Sequence, residues 1–367
     1  MTLTETLLTR RKLLVLCFLS LGCSGSSGPI VVGAAGPWQA GYGQMNRYGI
    51  ELALSEINAR GGIRGRPLEI VMRDDEGSGA KAAAIAAEFI ADARIAAVVG
   101  HVNSGAMMAA AKVYDGDVAA VATTATSPDL TGISPWVFRV ISSDSTNGLD
   151  IARFASSRGR RRAAILYEND SYGRGLADAF RRSFVGEVVS IDPISGSQND
   201  FEPHVAWYRR QAPDVIFVAG TEASGIAFLR EARRQGLEAD FVGGDGWTGI
   251  VADVQAAEGA FVGAPFANSD PRPEAQRFVK AFQERYERVP DGNAALAYDA
   301  TMLVASAIEA VGTNRKAVRR YLAGLTEETA FAGVTGSIRF RPDGDPVGKG
   351  IVITRVRRGD LVVEGSL

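Results

Sequence analysis

Cysteine is almost absent from this 367-residue sequence. Cys17 and Cys23 are the only two, both near the N-terminus. The body of the chain can therefore hold neither a disulfide framework nor a thiolate cluster. Histidine is as scarce: His101 and His204 stand alone, too few for a His-rich metal site. There is no surplus of one charge. Forty Lys and Arg face 42 Asp and Glu, a formal net charge of −2, which sets aside a generic polyanion binder. Beyond the N-terminal segment no stretch reaches the roughly 18 consecutive apolar residues a membrane-spanning helix needs. Reaction motifs are missing too. No serine has glycine at both −2 and +2, there is no Walker A sequence, and no spaced metal-ligand cluster occurs. What remains is ordinary globular composition, 46% hydrophobic and 22% charged. The length suggests roughly two domains of about 150 residues each.

The first 28 residues are of a different kind. Arg10, Arg11 and Lys12 precede the apolar run Leu13–Leu21, followed by Gly22, Cys23 and a Ser/Gly linker. A basic stretch, a short apolar core and a small residue at the break make a secretory signal over residues 1–22. The apolar core is too short to cross a bilayer. Cys23 after Gly22 resembles a bacterial lipoprotein signal, although Ser20 stands where such signals carry leucine. Arg10–Arg11 faintly resembles a twin-arginine signal. Without residues 1–22 the chain carries 37 basic and 41 acidic residues.

From Pro29 onward, short apolar runs alternate with helical periodicity. Strands are expected at Ile30–Ala34, Leu68–Met72, Ile95–Val99 and Val118–Ala122, with helices at Gln44–Arg60, Ala80–Ala93 and Gly105–Tyr114 between them. The pattern restarts after Val137–Ile141. Strands fall at Ala163–Tyr167, Val188–Ile191 and Asp214–Ala219, with shorter ones at Phe241–Gly243 and Phe261–Ala264. Helices fall at Asp150–Ser156, Gly175–Phe184, Glu202–Gln211 and Ser224–Gln235. Continuous apolar strands alternating with helices predict parallel sheets covered on both faces, an α/β architecture of two doubly wound units. The tail differs, with three helices at Pro273–Arg288, Ala294–Val311 and Lys316–Leu325, then Gly336–Phe340, Ile351–Val356 and Leu361–Val363 as strands.

In open parallel sheets, ligands bind beyond the carboxyl ends of the strands. Four segments fall there: Gly36–Gly43, Gly100–Ser104, Thr123–Thr131 and Gly243–Gly246. The second and third offer hydroxyls and backbone amides at a helix start, a place that favours a carboxylate. Asp245 supplies a negative charge. Carboxylate donors with one carboxylate acceptor suit a zwitterion. Each residue also has a plainer reading. Ser104 and Thr126 read as helix caps, Asp245 as a turn residue, Trp38 and Tyr42 as packing, and His101 as a structural histidine. Asp74–Asp75 reads as a cap or loop anchor. Arg160–Arg162 reads as a solvated loop. Gly33, Gly36, Gly41 and Gly43 lack dinucleotide spacing and read as a flexible loop facing a ligand.

The order of these segments resembles the periplasmic leucine/isoleucine/valine-binding protein family, the type I substrate-binding proteins of branched-chain amino-acid ABC transporters. GPWQAGYG, GIELALSEINARGGIRGRPLEIVMRDDEG, VVGHVNSGA, TTATSPDLT, YENDSYGRGLA, LREARRQGL and GGDG carry the resemblance, which runs from about Ile30 to the C-terminus. It implies two doubly wound Rossmann-like lobes joined by three crossings, one formed by residues 29–145 and 269–349, the other by 146–268 and 350–367. By the same resemblance Ser104 receives the ligand carboxylate, Thr126 contacts carboxylate and ammonium, and Thr124 offers a carbonyl to the ammonium. Ala125 lies between them. Asp245 falls on the acidic residue, usually Glu, that pairs with the ammonium. Tyr42 and Tyr172 line the cleft from opposite lobes, and Val102 and Asn293 fall near the ligand side chain.

Several departures stand out. Asp245 is a methylene shorter than Glu. Thr221 replaces a usual tyrosine, and Trp38, in a loop with one extra residue, is expected to refill that space. Asn293 puts an amide where an apolar wall is usual. Gly77 and Asn103 replace a cysteine pair. The resemblance implies an exported, non-enzymatic solute-binding protein, periplasmic or a cell-surface lipoprotein. It would work as a monomer without cofactor or metal, with permease subunits as partners and an L-amino acid as ligand. Two alternatives remain: the same fold binding an aromatic acid, amide or urea, and a ligand-sensing module for a receptor.

Overall fold

The computed structural model describes residues 28–364. The signal segment, Arg10–Arg11, Cys23 and the linker up to Ser27 lie outside the described residues, as does the chain from 365.

The first half of the chain alternates strand and helix: β1 (Ile30–Gly36), α1 (Gly41–Ala59), β2 (Leu68–Asp74), α2 (Gly79–Ala91), β3 (Ile95–Gly100), α3 (Ser104–Tyr114), β4 (Ala120–Ala122) and β5 (Val137–Arg139). These strands form one parallel sheet in the order β2-β1-β3-β4-β5. Every residue of β1, β3 and β4 is buried, as expected of strands covered on both faces.

The second unit repeats the plan. It runs α4 (Asp144–Ser157), β6 (Arg162–Glu168), α5 (Ser171–Ser183), β7 (Glu187–Ile194), α6 (Glu202–Gln211), β8 (Val215–Ala219), α7 (Glu222–Arg234), β9 (Asp240–Gly243), α8 (Val254–Ala257) and β10 (Phe261–Ala264). The chain then returns to the first lobe with α9 (Pro273–Tyr286), α10 (Gly292–Val311), α11 (Arg315–Ala323) and the hairpin β11 (Phe331–Gly333) and β12 (Gly336–Ile338). It ends in β13 (Val352–Arg357) and β14 (Asp360–Val363), antiparallel strands on the far side of β10. The second sheet has the order β14-β13-β10-β9-β8-β6-β7. Its five parallel strands thus follow the same winding as the first sheet. The result is two doubly wound lobes joined by three crossings, before α4, before α9 and before β13.

Each lobe has its own core. In the second, Phe180 of α5 stacks on Phe217 of β8 with ring centroids 4.3 Å apart, while Phe228 of α7 meets Phe241 of β9 edge-on. In the first, α10 packs along α1 and against β3 of the sheet. Among the described residues α10 is the one helix long and apolar enough to cross a membrane, and most of that stretch is buried inside the protein. It is a core helix.

Several helices begin earlier than their apolar periodicity predicts. Helix α4 starts at Asp144 rather than Asp150, capped by Ser143, and α5 starts at Ser171 rather than Gly175, capped by Asp170, whose carboxylate accepts from the Gly173 amide at 2.8 Å. Their first turns are polar and glycine-containing, so nothing in hydrophobic spacing marks them.

Candidate functional site

Doubly wound sheets open a crevice where the winding reverses, between β1 and β3 in one lobe and between β6 and β8 in the other. The two crevices face each other. Between them lies a cavity of about 280 Å³ walled by both lobes. From the first lobe come Tyr42, Gly77, Val102, Asn103, Ser104, Gly105, Thr124 and Asn293. From the second come Asp170, Ser171, Tyr172, Arg174, Thr221, Asp245 and Gly246.

On the first lobe the wall is the opening turn of α3. The first amides of an α-helix have no partner within it, and the helix dipole adds partial positive charge there. Ser104 sits in that turn. Its Oγ accepts from the amides of Thr126 and Ser127 at 3.2 and 3.1 Å, so its own hydroxyl hydrogen remains to be donated. Thr124 Oγ1 donates to the Val102 carbonyl at 3.1 Å, and Asn103 Nδ2 donates to the Tyr42 hydroxyl at 2.9 Å. These bonds fasten the ends of β3 and β4 and the start of α1 into one surface.

On the second lobe the wall carries Asp245, which is only 8% exposed. The Tyr172 hydroxyl donates to its Oδ1 at 3.1 Å and accepts from the Gly246 amide at 3.0 Å. Burial pushes the Asp245 carboxyl up to about 6, partly offset by the Tyr172 bond. Glu168, at the end of β6, accepts from the Thr221 amide, the Thr221 hydroxyl and Ser224 Oγ at 2.9, 2.7 and 2.7 Å. The Thr221 hydroxyl is thus spent inside its own lobe. Asn293 is spent as well. Its Nδ2 donates to Thr248 Oγ1 in the opposite lobe and to Asp291 Oδ2, both at 3.0 Å. A second contact spans the lobes beside it. The Glu222 carboxylate lies between Gly41 of α1 and Gly249, where a side chain on either glycine would collide with it. Burial pushes the Glu222 carboxyl up to about 7, helped by the nearby Asp291 charge.

Tyr42, Val102, Ser104, Thr124, Tyr172, Thr221, Asp245 and Asn293 therefore converge on one cavity. Trp38, Ala125 and Thr126 do not line it. The Trp38 indole is lodged under β1 in the core of the first lobe. Gly36 makes that seat: a Cβ there would stand 2.8 Å from the indole and 2.6 Å from Val102 Cγ2. Trp38 thus backs Val102 instead of filling space near Thr221. Ala125 is in the core, and Thr126 lies behind the wall, fully buried.

Elsewhere the geometry is that of the plainer readings for His101 and Asp74–Asp75. Buried His101 bonds Asp75 through Nδ1 at 2.6 Å and the Tyr114 hydroxyl through Nε2 at 3.1 Å. Asp74 and Asp75 anchor their loop by accepting from the amides of Glu76 and Gly77. Arg160 pairs with Asp240, while Arg162 is already the first residue of β6, so the Arg160–Arg162 run is a loop only in part.

Asp170 and Arg174 were not singled out from the sequence. Asp170 caps α5, and the opposing lobe turns that cap into a cavity wall. Gly77 and Asn103 appeared only as a replaced cysteine pair. They are adjacent in space, since a Cβ on Gly77 would lie 3.5 Å from Asn103 Oδ1.

A cavity between the facing switch points of two doubly wound lobes defines a binding protein that holds a small molecule between its lobes. The chain belongs to the periplasmic binding protein family, which it matches over residues 29–360. It is similar to the Leu/Ile/Val-binding protein of Escherichia coli, at 30% identity over 74% of this chain and 76% of that one. Among solved structures, it resembles an ABC transporter substrate-binding protein from Desulfitobacterium hafniense in complex with Leu. That match has 34% identity and a TM-score of 0.79, covering 92% of this chain and 100% of that chain. A branched-chain amino acid transporter substrate-binding protein from Streptococcus pneumoniae, in complex with isoleucine, matches with 28% identity and a TM-score of 0.86, covering 92% and 99%.

Proposed function

We propose that this protein is the exported solute-binding component of an ABC importer and takes an L-amino acid between its lobes without altering it. One observation carries the reading: the cavity has the opening turn of a helix on one wall and a buried carboxylate on the opposite wall. The first suits a ligand carboxylate, through the free amides of α3 and the spare Ser104 hydrogen. The second suits an ammonium on Asp245, in a charge-assisted hydrogen bond. The volume lies at the low end for ligand pockets, about 300 Å³, which fits a small solute. The amino-acid complexes of its relatives support the ligand class. Export through residues 1–22, a lipid anchor at Cys23, action as a monomer and delivery to a permease belong to the same proposal. Tyr42 and Tyr172, with the hydrogen-bonded Thr221 and Asn293 beside them in the lining, make a wall unlike a purely aliphatic slot.

A thermal-shift screen of the twenty L-amino acids, with small aromatic acids, amides and urea, tests this directly. Saturation at 100 times the dissociation constant stabilises by about 2.7 kcal/mol. The expected response is confined to amino acids. A response only to solutes without an amine would remove the role given to Asp245.

The raised Asp245 carboxyl predicts a pH dependence. An ammonium needs the ionised form, so amino-acid affinity should fall as pH drops through about 6, by about tenfold between pH 7.5 and pH 5. Without ligand the sign is opposite for stability. Unfolded, this carboxyl titrates near 3.8, so the folded protein holds the extra proton between 3.8 and about 6. Its contribution to ligand-free stability therefore declines as pH rises through that window and is flat above it. Calorimetric titrations and melting curves across this range check both.

A further inference from the structure

Helix α1 begins without a cap of its own. Ala40 stands at its N-cap position with no side-chain hydrogen bond to give, and its first turn holds no acidic residue. Helices α2, α5, α10 and α11 are capped by the residue just before each of them, Ser78, Asp170, Asp291 and Asn314. The unpaired amides of a first turn, with the partial positive charge of the helix dipole, call for an acceptor.

For α1 that acceptor comes from the opposite lobe. Glu222 is the first residue of α7, and its Oε1 lies against Gly41, the first residue of α1. Burial and then the Asp291 charge oppose the ionised form of this carboxyl, while a hydrogen bond from the Tyr42 amide favours it. Two bare backbones make the reach possible. A Cβ on Gly41 would collide with Oε1, and a Cβ on Gly249 would collide with Oε2. Next to Gly249, Thr248 accepts from Asn293 Nδ2 across the same gap at 3.0 Å. Glu222 does not line the cavity, but its neighbours in this contact do: Thr221 precedes it in the chain, and Tyr42 carries the amide it receives.

We propose that Glu222 is the latch of the cleft: it caps α1 only while the lobes are set against each other, and so holds a bound solute in place without touching it. This rests on the reading of the cavity as a ligand site between the lobes. It goes beyond that reading by naming the residue that keeps the site shut. With the lobes apart, water takes over both the α1 amides and the carboxyl, so the contact adds to the shut form alone. Its effect therefore falls on escape of the solute and not on encounter. Neutral or ionised, the carboxyl keeps an oxygen lone pair for the amide. Glutamine has the same length and the same acceptor. Alanine has neither. Glu222 is in this sense a positioning residue.

Stopped-flow displacement tests the latch, using the solute with the largest thermal shift in the screen above. Glu222→Ala should release it about tenfold faster, the scale of a lost helix cap. Association should stay within about threefold of wild type, and Glu222→Gln should behave as wild type does. Gly41→Ala offers a second route, because its methyl group fills the place of the carboxylate and the Gly41 backbone is not left-handed. It should also speed release, and adding it to Glu222→Ala should change little further, since both remove one contact. Unchanged release from Glu222→Ala, an effect on association instead, or fully additive effects of the two alanines would overturn the latch. The chemistry of the solute that wild type prefers bears on the amino-acid reading alone: a solute without an amine would remove the role of Asp245 and leave this test standing.

Discussion

Asp245→Ala is expected to weaken amino-acid binding by about 2–5 kcal/mol, the scale for breaking a buried, hydrogen-bonded charge pair. At about 1.4 kcal/mol per tenfold, that is a loss of about 30-fold to several thousand-fold in affinity. The size follows from the site. Asp245 is 8% exposed, and Tyr172 and the Gly246 amide leave its carboxylate one orientation. Alanine there would leave the ligand ammonium with Asp170 as the other lining carboxylate, and Asp170 is occupied capping α5. Calorimetry on the variant checks it. Undiminished binding of a folded variant would place the ammonium elsewhere.

Asp345→Ala should be the most damaging single change outside the cavity. Asp345 and Arg139 are both buried, 3% and 2% exposed, and meet through Nε at 2.6 Å. Thr131 Oγ1 also donates to Asp345 at 3.0 Å. The segment around Asp345 runs beside β5, with the Arg139 amide donating to the Gly344 carbonyl at 3.2 Å, just before the chain crosses for the third time. Removing the carboxylate leaves a buried guanidinium without its counter-charge, which costs about 3–5 kcal/mol. Urea unfolding of the variant should show that loss in its first-lobe transition. A change within 1 kcal/mol would mean that water reaches Arg139.

The elements with steady apolar periodicity are legible residue by residue. Glu202–Gln211 is α6 at the limits its pattern predicts, and the runs through β1, β3 and β8 are buried throughout. Helix beginnings are not legible in the same way. The first turns of α4 and α5 face the junction of the lobes instead of a core, so their composition answers to caps and cleft chemistry. Those turns carry Asp144 and Tyr172. Periodicity is thus weakest where the site is built.

Trp38 shows the converse. A tryptophan in a glycine-rich loop beyond a strand reads as ligand-facing, yet the bare backbone at Gly36 gives it a seat in the core. Asn293 and Thr221 read as free polar groups near a ligand. Their partners, Thr248 with Asp291 and Glu168, lie 45, 2 and 53 residues away, and only folding reveals that their hydrogen-bonding capacity is already spent.

Two doubly wound α/β units, the strand-end segments that would carry a ligand, and the chemistry of those segments are legible before any folding. These follow from local rules: strand and helix periods, glycine and capping residues, and the binding of ligands at the carboxyl ends of parallel strands. Which of those segments face each other depends on the packing of the two lobes. It set Asp245 opposite the start of α3 and turned the Asp170 cap into a wall. That is a matter of how two lobes built from three crossings are set against one another, and no residue's neighbours in sequence encode it.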